Sequence, residues 1–333
     1  MRRGSTDVMT RGARRRRGVT TLAAALAVTT LLVAAVACGS DGGGATSASS
    51  GRPRLVVSFP VLGSVVSDLV GDQAEVTVLM GPGIDPHDYR PSARDASELD
   101  SADLIVINGL GLEESLDDAI AVAEARDVPV FRATDHIDVR PFDEGEIASG
   151  EEDEEHAPGA PDPHVWLDPV AIKQVVAALA ETVRTDVGLD LGARAAALEQ
   201  RLGDLDTEIR SILEVVPPDQ RLLVTGHESM GYFARRYGFE LVGAVIPSGG
   251  TQAAPTAAGL AQLTELIRRL GVRAVFTETG TPPDVARTVA SETGTKLVEL
   301  PTHTLPPDGS YFTMMREIAH RVASGLTDGP SGP

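Results

Sequence analysis

Short apolar runs alternate with amphipathic stretches in two separate parts of the chain, and this alternation is what most limits the possible folds. Leu104-Ile105-Val106-Ile107 is a continuous apolar run, typical of a parallel strand buried on both faces. The alternation predicts an α/β fold with two lobes, each built on a mainly parallel sheet. Strands are predicted at 55–59, 75–79, 104–107, 128–131, 221–225, 240–244, 274–277 and 296–300, and helices at 61–70, 112–125, 169–186, 230–237, 257–270, 283–293 and 311–325.

One predicted helix is longer than the others. Residues 192–215 carry Leu198, Leu202 and Leu205 at the spacing of an amphipathic helix, and Pro217 follows. About 24 helical residues span about 36 Å, enough to connect two lobes. The predicted organisation is an N-terminal α/β lobe at 54–190, a connecting helix at 191–216, a C-terminal α/β lobe at 217–326 and a disordered tail at 327–333.

The first 37 residues indicate export. A basic run at 14–17 precedes the uncharged, apolar run 19–37, and Cys38, the single cysteine of the chain, follows directly. This order predicts a lipoprotein signal peptide at 1–37, with lipid attached to Cys38 and residues 38–53 as a flexible tether. An uncleaved membrane anchor is the alternative, because about 19 apolar residues nearly span a bilayer. The choice between Sec and twin-arginine export stays open.

Charge excludes one class of partner. Residues 38–333 contain 22 basic and 47 acidic residues, a net charge of −25, which repels nucleic acid. The segment 143–163 is especially acidic, and we expect a mobile, solvated loop there. His156 in this loop either collects metal ions weakly or belongs to a simple spacer.

Four of the seven histidines share a context. Each lies just beyond a strand-like run or in a loop rich in Pro and Gly: His87, His164, His227 and His303. Ligands of open α/β sheets bind outside the carboxyl ends of the strands, where such loops meet. Neutral imidazole is a preferred zinc ligand. The residues alone therefore suggest a histidine site between the lobes, without showing that the four converge.

Several motifs resemble those of the zinc/manganese substrate-binding lipoproteins of ABC transporters, the cluster A-I (cluster 9) family. The resemblance runs from Leu55 to Leu326 and implies two α/β lobes joined by one long helix, with the metal in the cleft between them. The motifs are Gly-Pro-Gly-Ile-Asp-Pro-His-Asp-Tyr at 81–89, Asp-Pro-His-Val-Trp-Leu-Asp-Pro at 162–169, His227 with Gly-Tyr-Phe-Ala-Arg-Arg-Tyr-Gly at 231–238, Phe-Thr-Glu at 276–278 and Tyr-Phe-Thr-Met-Met at 311–315.

The resemblance also implies the metal ligands. His87 and His164 correspond to the ligands of the first lobe and His227 to the third ligand, where histidine accompanies zinc and glutamate manganese. The family's usual fourth ligand is an aspartate, and His303 stands in its place. We favour His303 as the fourth ligand, with Glu278 or water as the alternative.

Three carboxylates are candidate partners of the ligating imidazoles. Glu278 is expected to orient one imidazole, because such partners fix its tautomer. Asp85 and Asp168 could act in the same way, or they could only make turn and cap hydrogen bonds.

The resulting prediction is an extracytoplasmic, lipid-anchored monomer at the outer face of the cytoplasmic membrane. It would bind Zn²⁺ tightly and deliver it to an ABC permease, without being an enzyme. The alternatives are the same role for manganese or iron, and a metal-binding adhesin. A zinc hydrolase is the least favoured, because no His-Glu-x-x-His motif, nucleophile elbow or phosphate-binding glycine loop is present.

Overall fold

The computed structural model describes residues 51–142, 159–246, 251 and 255–327. The proposed signal peptide, Cys38, most of the tether, His156, most of the acidic loop and the tail after Thr327 lie outside the described residues. Among the described residues, no helix has both the length and the apolar character needed to cross a bilayer.

The first lobe alternates strands and helices around a parallel sheet. Its elements are β1 (Arg54–Val57), α1 (Pro60–Val70), β2 (Glu75–Val78), α2 (Ala93–Asp100), β3 (Leu104–Ile107), α3 (Asp117–Glu124) and β4 (Val130–Arg132). The strand order is β2-β1-β3-β4, with every pair parallel. Val56 pairs with Thr77 on one side and Ile105 on the other, and β3 is buried along its whole length.

The second lobe has the same strand topology. Its elements are β5 (Leu222–Thr225), α6 (Gly231–Tyr237), β6 (Glu240–Ala244), α7 (Ala257–Leu270), β7 (Ala274–Glu278), α8 (Asp284–Thr293), β8 (Lys296–Leu300) and α9 (Tyr311–Thr327). The order β6-β5-β7-β8 is again fully parallel. In each lobe, therefore, the first strand in the chain lies beside the second and the third, and the carboxyl ends of the strands share one edge.

Two helices separate the sheets in the chain, α4 (Pro169–Thr182) and α5 (Gly192–Leu213). The 22 residues of α5 span about 33 Å. Near its start, Arg194 donates to the carbonyl of Leu69 in α1 at 2.6 Å. Further along, Asp206 accepts two hydrogen bonds from Arg236 in α6 at 2.6 and 2.8 Å. The long helix is thus bonded to both lobes.

The hydrophobic core is continuous from one lobe to the other. Val57 of the first sheet, Leu202 of α5 and Phe233 of α6 belong to the same cluster of buried apolar side chains. A second, smaller cluster lies between the second sheet and the helices α7 and α8, with Val224, Ile267 and Val289 among its members. The predicted α/β class, with two parallel sheets and a long helix between them, is confirmed.

One helix was not predicted from the sequence. In α2, Ser92 accepts a hydrogen bond from the backbone of Asp95, and the Asp95 carboxylate accepts one from the Ser92 amide. This reciprocal arrangement is a capping box, and Ser-x-x-Asp is its sequence signature. The capping-box motif was present in the sequence, but the segment has too few apolar residues to suggest a helix by periodicity.

The helix predicted at 112–125 is shorter than expected. A 3₁₀ turn occupies Glu114–Leu116, and α3 begins only at Asp117. Three consecutive residues at 109–111 have positive φ, including Leu110 at 56°. The Glu113 side chain folds back onto this turn instead of continuing a helix, because it accepts hydrogen bonds from the amides of Asn108 and Gly109.

The exposed acidic loop was predicted at 143–163, but its predicted carboxyl-terminal boundary is wrong. Asp162 and Pro163 are buried, and the Asp162 amide donates to the carbonyl of Arg140 at 2.9 Å. Burial is possible because Arg140 provides a charge partner for the carboxylate. At the other end of the chain, Thr327, predicted as the start of the tail, is the last residue of α9.

Candidate metal centre

Three histidines meet between the two lobes. His87 lies in a 3₁₀ turn, Pro86–Asp88, after β2, and His164 lies just before the 3₁₀ turn Val165–Leu167. His227 follows β5 in the second lobe. The loops at the carboxyl edges of the two sheets therefore bring together residues that are up to 140 positions apart in the chain.

The three rings point their Nε2 atoms at one another. Nε2 of His164 lies 3.4 Å from Nε2 of His87 and 3.3 Å from Nε2 of His227. One candidate ligand atom from each of the three residues lies within 4.8 Å of the other two. His164 and His227 are 1% exposed, and His87 is half-buried.

These spacings match tetrahedral coordination. Ligand nitrogens about 2.0–2.1 Å from a tetrahedral ion are about 3.3 Å apart. One ring nitrogen has a single in-plane lone pair or proton, so Nε2 of His164 cannot form good hydrogen bonds to both neighbours. An ion shared by the three nitrogens would account for both short distances.

His164 is oriented by a carboxylate that the sequence analysis did not select. Asp162 Oδ1 accepts from the His164 backbone amide at 2.9 Å and lies 2.8 Å from Nδ1 of its ring. Nη1 of Arg140 donates to Asp162 Oδ2 at 2.7 Å. An imidazole that donates through Nδ1 presents the lone pair of Nε2 to a metal. Burial raises the pKa of Asp162 to about 6, although Arg140 opposes the rise.

A repeated tripeptide in the sequence could have identified Asp162 as a partner of His164. Asp-Pro-His occurs at 85–87 and again at 162–164. In the first copy, Asp85 Oδ1 accepts from the His87 amide at 3.0 Å, the same turn that Asp162 makes with His164. Proline at the middle position fixes φ and lacks an amide that would compete for the carboxylate. In both copies the aspartate therefore begins a tight turn and holds the histidine two residues later.

Glu278 lies beside His227, as the sequence suggested. Its Oε1 is 3.2 Å from Nδ1 of His227, although the two atoms do not meet full hydrogen-bond geometry, and it also accepts from the Ser229 hydroxyl at 3.2 Å. Burial lowers the pKa of His227, but the negative charges of Glu278, Asp85 and Asp162 together outweigh burial, and the pKa is raised. Burial would likewise raise the pKa of Glu278, yet His227 holds that pKa below its usual value.

His303 is next to this group but not within it. Its ring is 3% exposed, and Nδ1 lies 3.3 Å from the Thr302 hydroxyl. Its Nε2 is buried and has no hydrogen-bond partner among the described residues. Burial lowers the pKa of His303, while Asp85 opposes the change. The structure thus brings together three of the four predicted histidines and leaves the fourth close by, with an unsatisfied nitrogen.

The remaining predicted carboxylates have structural contacts. Asp168 caps α4 by accepting from the Val170 amide at 2.8 Å and lies 3.7 Å from Arg236. These are the cap contacts that the sequence analysis gave as the alternative. Asp85 caps the 3₁₀ turn of His87 and also interacts with Thr251 and His303.

Two parallel-sheet lobes joined by a long helix, with convergent histidines from both lobes, define the class of metal-binding substrate-binding proteins. A comparison with family models matches residues 55–325 to the family described as ZnuA, zinc-uptake complex component A, periplasmic. The chain belongs to this family, and the resemblance noted from its motifs is confirmed.

Individual relatives differ in the metal that they are named for. The chain is 29% identical to the manganese-binding lipoprotein MntA of Halalkalibacterium halodurans, over 82% of this chain and 88% of the relative. It is also 29% identical to the zinc-binding protein TroA of Treponema pallidum, over 71% of this chain and 73% of TroA.

Solved structures show the same fold. The periplasmic zinc-binding protein TroA of Treponema pallidum superimposes with a TM-score of 0.71 at 26% identity, covering 83% of this chain and 99% of TroA. The substrate-binding protein FpvC of Pseudomonas aeruginosa, solved with Mn²⁺, superimposes with a TM-score of 0.72 at 26% identity, covering 84% and 99%.

Proposed function

We propose that this chain captures Zn²⁺ outside the cytoplasm and delivers it to an ABC permease, with His87, His164 and His227 as ligands. The observation that carries the proposal is the spacing of 3.3 and 3.4 Å between the Nε2 atoms of these residues. Family membership supports the transport role, and the metal ion is cargo rather than a resident cofactor.

Zinc is preferred because of the donor atoms. Three neutral imidazoles suit zinc, whereas manganese prefers carboxylate and other oxygen ligands. Two carboxylates lie against the ligand rings, but Asp162 faces Nδ1 of His164 and Glu278 faces Nδ1 of His227, rather than the point where the Nε2 atoms meet. Relatives named for manganese keep that metal as the second candidate cargo.

We assign the fourth position of the zinc site to His303. Its Nε2 is buried and has no hydrogen-bond partner among the described residues, so this nitrogen is available to a metal ion. With four neutral ligands, the charge of the ion would be balanced by Asp162 and Glu278 through the rings they face. Water or Glu278 at this position is the alternative.

The remaining assignments extend the family's properties to this chain. Residues 1–37 are assigned as the signal peptide and Cys38 as the lipidated residue, which would hold a monomer at the outer face of the cytoplasmic membrane. A Cys38→Ala variant should then move from the membrane fraction to the soluble extracytoplasmic fraction. An unchanged membrane location would favour an uncleaved anchor at 19–37. No enzymatic step is assigned to the chain.

Metal analysis of the purified protein, followed by competition titrations with Zn²⁺ and Mn²⁺, tests the cargo. We expect one bound Zn²⁺ per chain and weaker binding of Mn²⁺. Tighter binding of Mn²⁺ than of Zn²⁺ would overturn the metal assignment. His320→Ala is a suitable control, because His320 is exposed on α9.

A further inference from the structure

We infer that Arg140 and Asp162 form a positioning device that holds His164 in its metal-binding orientation, and that Gly231 must be glycine to leave room for it. The inference rests on the proposed zinc-binding function. Asp162 is fully buried and Arg140 is 3% exposed, so both charged groups lie inside the protein.

The two carboxylate oxygens of Asp162 have different partners. Oδ1 accepts from the amide of His164 and faces Nδ1 of its ring, while Oδ2 accepts from the Arg140 guanidinium. Two contacts from one residue to the amide and ring of His164 leave the imidazole little freedom to rotate. The guanidinium compensates for burying the carboxylate, which would otherwise be strongly unfavourable.

Residues of the second lobe pack against the Arg140–Asp162 pair. The Arg140 amide donates to the Tyr232 hydroxyl at 3.1 Å. A Cβ added to Gly231 would stand 1.3 Å from Nη1 of Arg140 and 2.7 Å from Oδ2 of Asp162. Gly231 opens α6 only four positions after His227. The orientation of His164 in the first lobe is therefore tied to the segment that carries His227 in the second.

The other Asp-Pro-His copy lacks this device. Asp85 caps the His87 amide, but no hydrogen bond joins its carboxylate to the His87 ring in the described structure. His87 is also more exposed than His164. Two ligands with the same local sequence therefore differ in rigidity, and His164 is the preorganised member.

The chain offers a control for the loss of an ion pair with a largely buried carboxylate. Asp206 is 8% exposed and pairs with Arg236 at 2.6 Å. Arg236 also lies 3.7 Å from Asp168, which caps α4, and no contact joins Asp206 or Arg236 to a ligand histidine in the described structure. Asp206→Asn should lower stability without changing zinc binding. Asp162→Asn removes an equivalent charge next to His164, so that a difference between the two variants isolates positioning from general stability.

The experiment measures Zn²⁺ affinity by competition titration in the wild type and in Asp162→Asn, Arg140→Gln, Gly231→Ala and Asp206→Asn. We expect Asp162→Asn to lose about 10–100-fold in affinity, the range typical of an outer partner of a metal-bound histidine. Arg140→Gln and Gly231→Ala should lose affinity in the same direction, and the double variant Asp162→Asn/Arg140→Gln should lose less than the sum of the single variants.

The visible spectrum of bound Co²⁺ provides a readout that stability alone would not change. Its ligand-field bands should shift in Asp162→Asn and stay as in the wild type in Asp206→Asn. Wild-type affinity and an unchanged spectrum in both Asp162→Asn and Arg140→Gln would overturn the inference. If Asp162→Asn does not fold, wild-type affinity in Gly231→Ala would overturn it instead. A wild type that binds no zinc would refute the proposed function itself, which is a separate outcome.

Discussion

Gly226 lies so close to Glu278 that a Cβ on the glycine would stand 2.0 Å from Oε2 of the carboxylate. Gly226 is the residue before His227, and Glu278 ends β7, two strands further along the chain. The absence of a side chain at 226 is therefore what allows Glu278 to approach the ring of His227.

This contact predicts the effect of Gly226→Ala. The added methyl group should push Glu278 away from His227 and reduce zinc affinity by about 10–100-fold, because the imidazole loses its orienting partner. Competition titration checks the change. Gly203→Ala is the matched control, since its Cβ would make only an ordinary 3.7 Å contact with Lys173. Equal affinities in the two variants would contradict the role given to Glu278.

Removing a ligand histidine should reduce zinc affinity more than Gly226→Ala does. His87→Ala, His164→Ala and His227→Ala should each lose more than the roughly 10–100-fold typical of an outer partner, because a direct metal bond disappears. His303→Ala should lose affinity to a similar extent if His303 is the fourth ligand. Unchanged affinity in His303→Ala, measured beside His320→Ala, would remove His303 from the coordination sphere.

The pH dependence of zinc binding should report on Glu278. Protons compete with the metal for imidazole, and the pKa of His227 is raised because Glu278, with smaller contributions from Asp85 and Asp162, opposes the lowering by burial. Affinity should therefore begin to fall as the pH drops through that raised value. In Glu278→Gln, the pKa of His227 should fall, and the loss of affinity should begin at a lower pH.

Titrations of Zn²⁺ affinity at a series of pH values test this expectation. Glu299→Gln is the control, because Glu299 is an exposed residue of β8 and lies outside the site. An identical pH profile in Glu278→Gln and Glu299→Gln would show that the carboxylate does not set the proton competition.

Glu113 should contribute strongly to stability. It is 2% exposed and accepts from the Ser58 hydroxyl at 2.6 Å, the Asn108 amide at 2.7 Å and the Gly109 amide at 3.1 Å. Glu113→Ala leaves three buried donors without an acceptor, so we expect a loss of about 3 kcal/mol in the free energy of unfolding. Urea unfolding measures it, with exposed Glu114→Ala as the control. A loss no larger than that of the control would contradict the argument.

The continuous core predicts limited movement between the lobes. Because one cluster of buried side chains includes residues of both lobes, a wide opening would expose apolar surface and break close packing. We expect the radius of gyration in solution to change by less than about 1 Å on addition of Zn²⁺. Small-angle scattering with and without the metal checks this. A larger change would mean that the lobes separate despite their shared core.

The strands were the part of the fold most accessible from the sequence. Runs such as 104–107 are apolar throughout because both faces of a central parallel strand are covered, so that local composition already indicates the environment. Helix α2 was missed because most of its residues are polar and it buries only Leu99, so its apolar stripe is too small to stand out in the sequence. Its capping box was the signal that could have identified it.

The sequence by itself determined the two alternating α/β segments, the long helix between them and the identity of the histidines worth testing, because periodicity and local motifs depend on neighbouring residues. Only the tertiary structure decided that His87, His164 and His227 converge, that His303 stands beside them, and that Asp162 rather than Asp168 faces a ligand. Distances between residues far apart in the chain depend on how sheets and helices pack, and no local pattern records that packing.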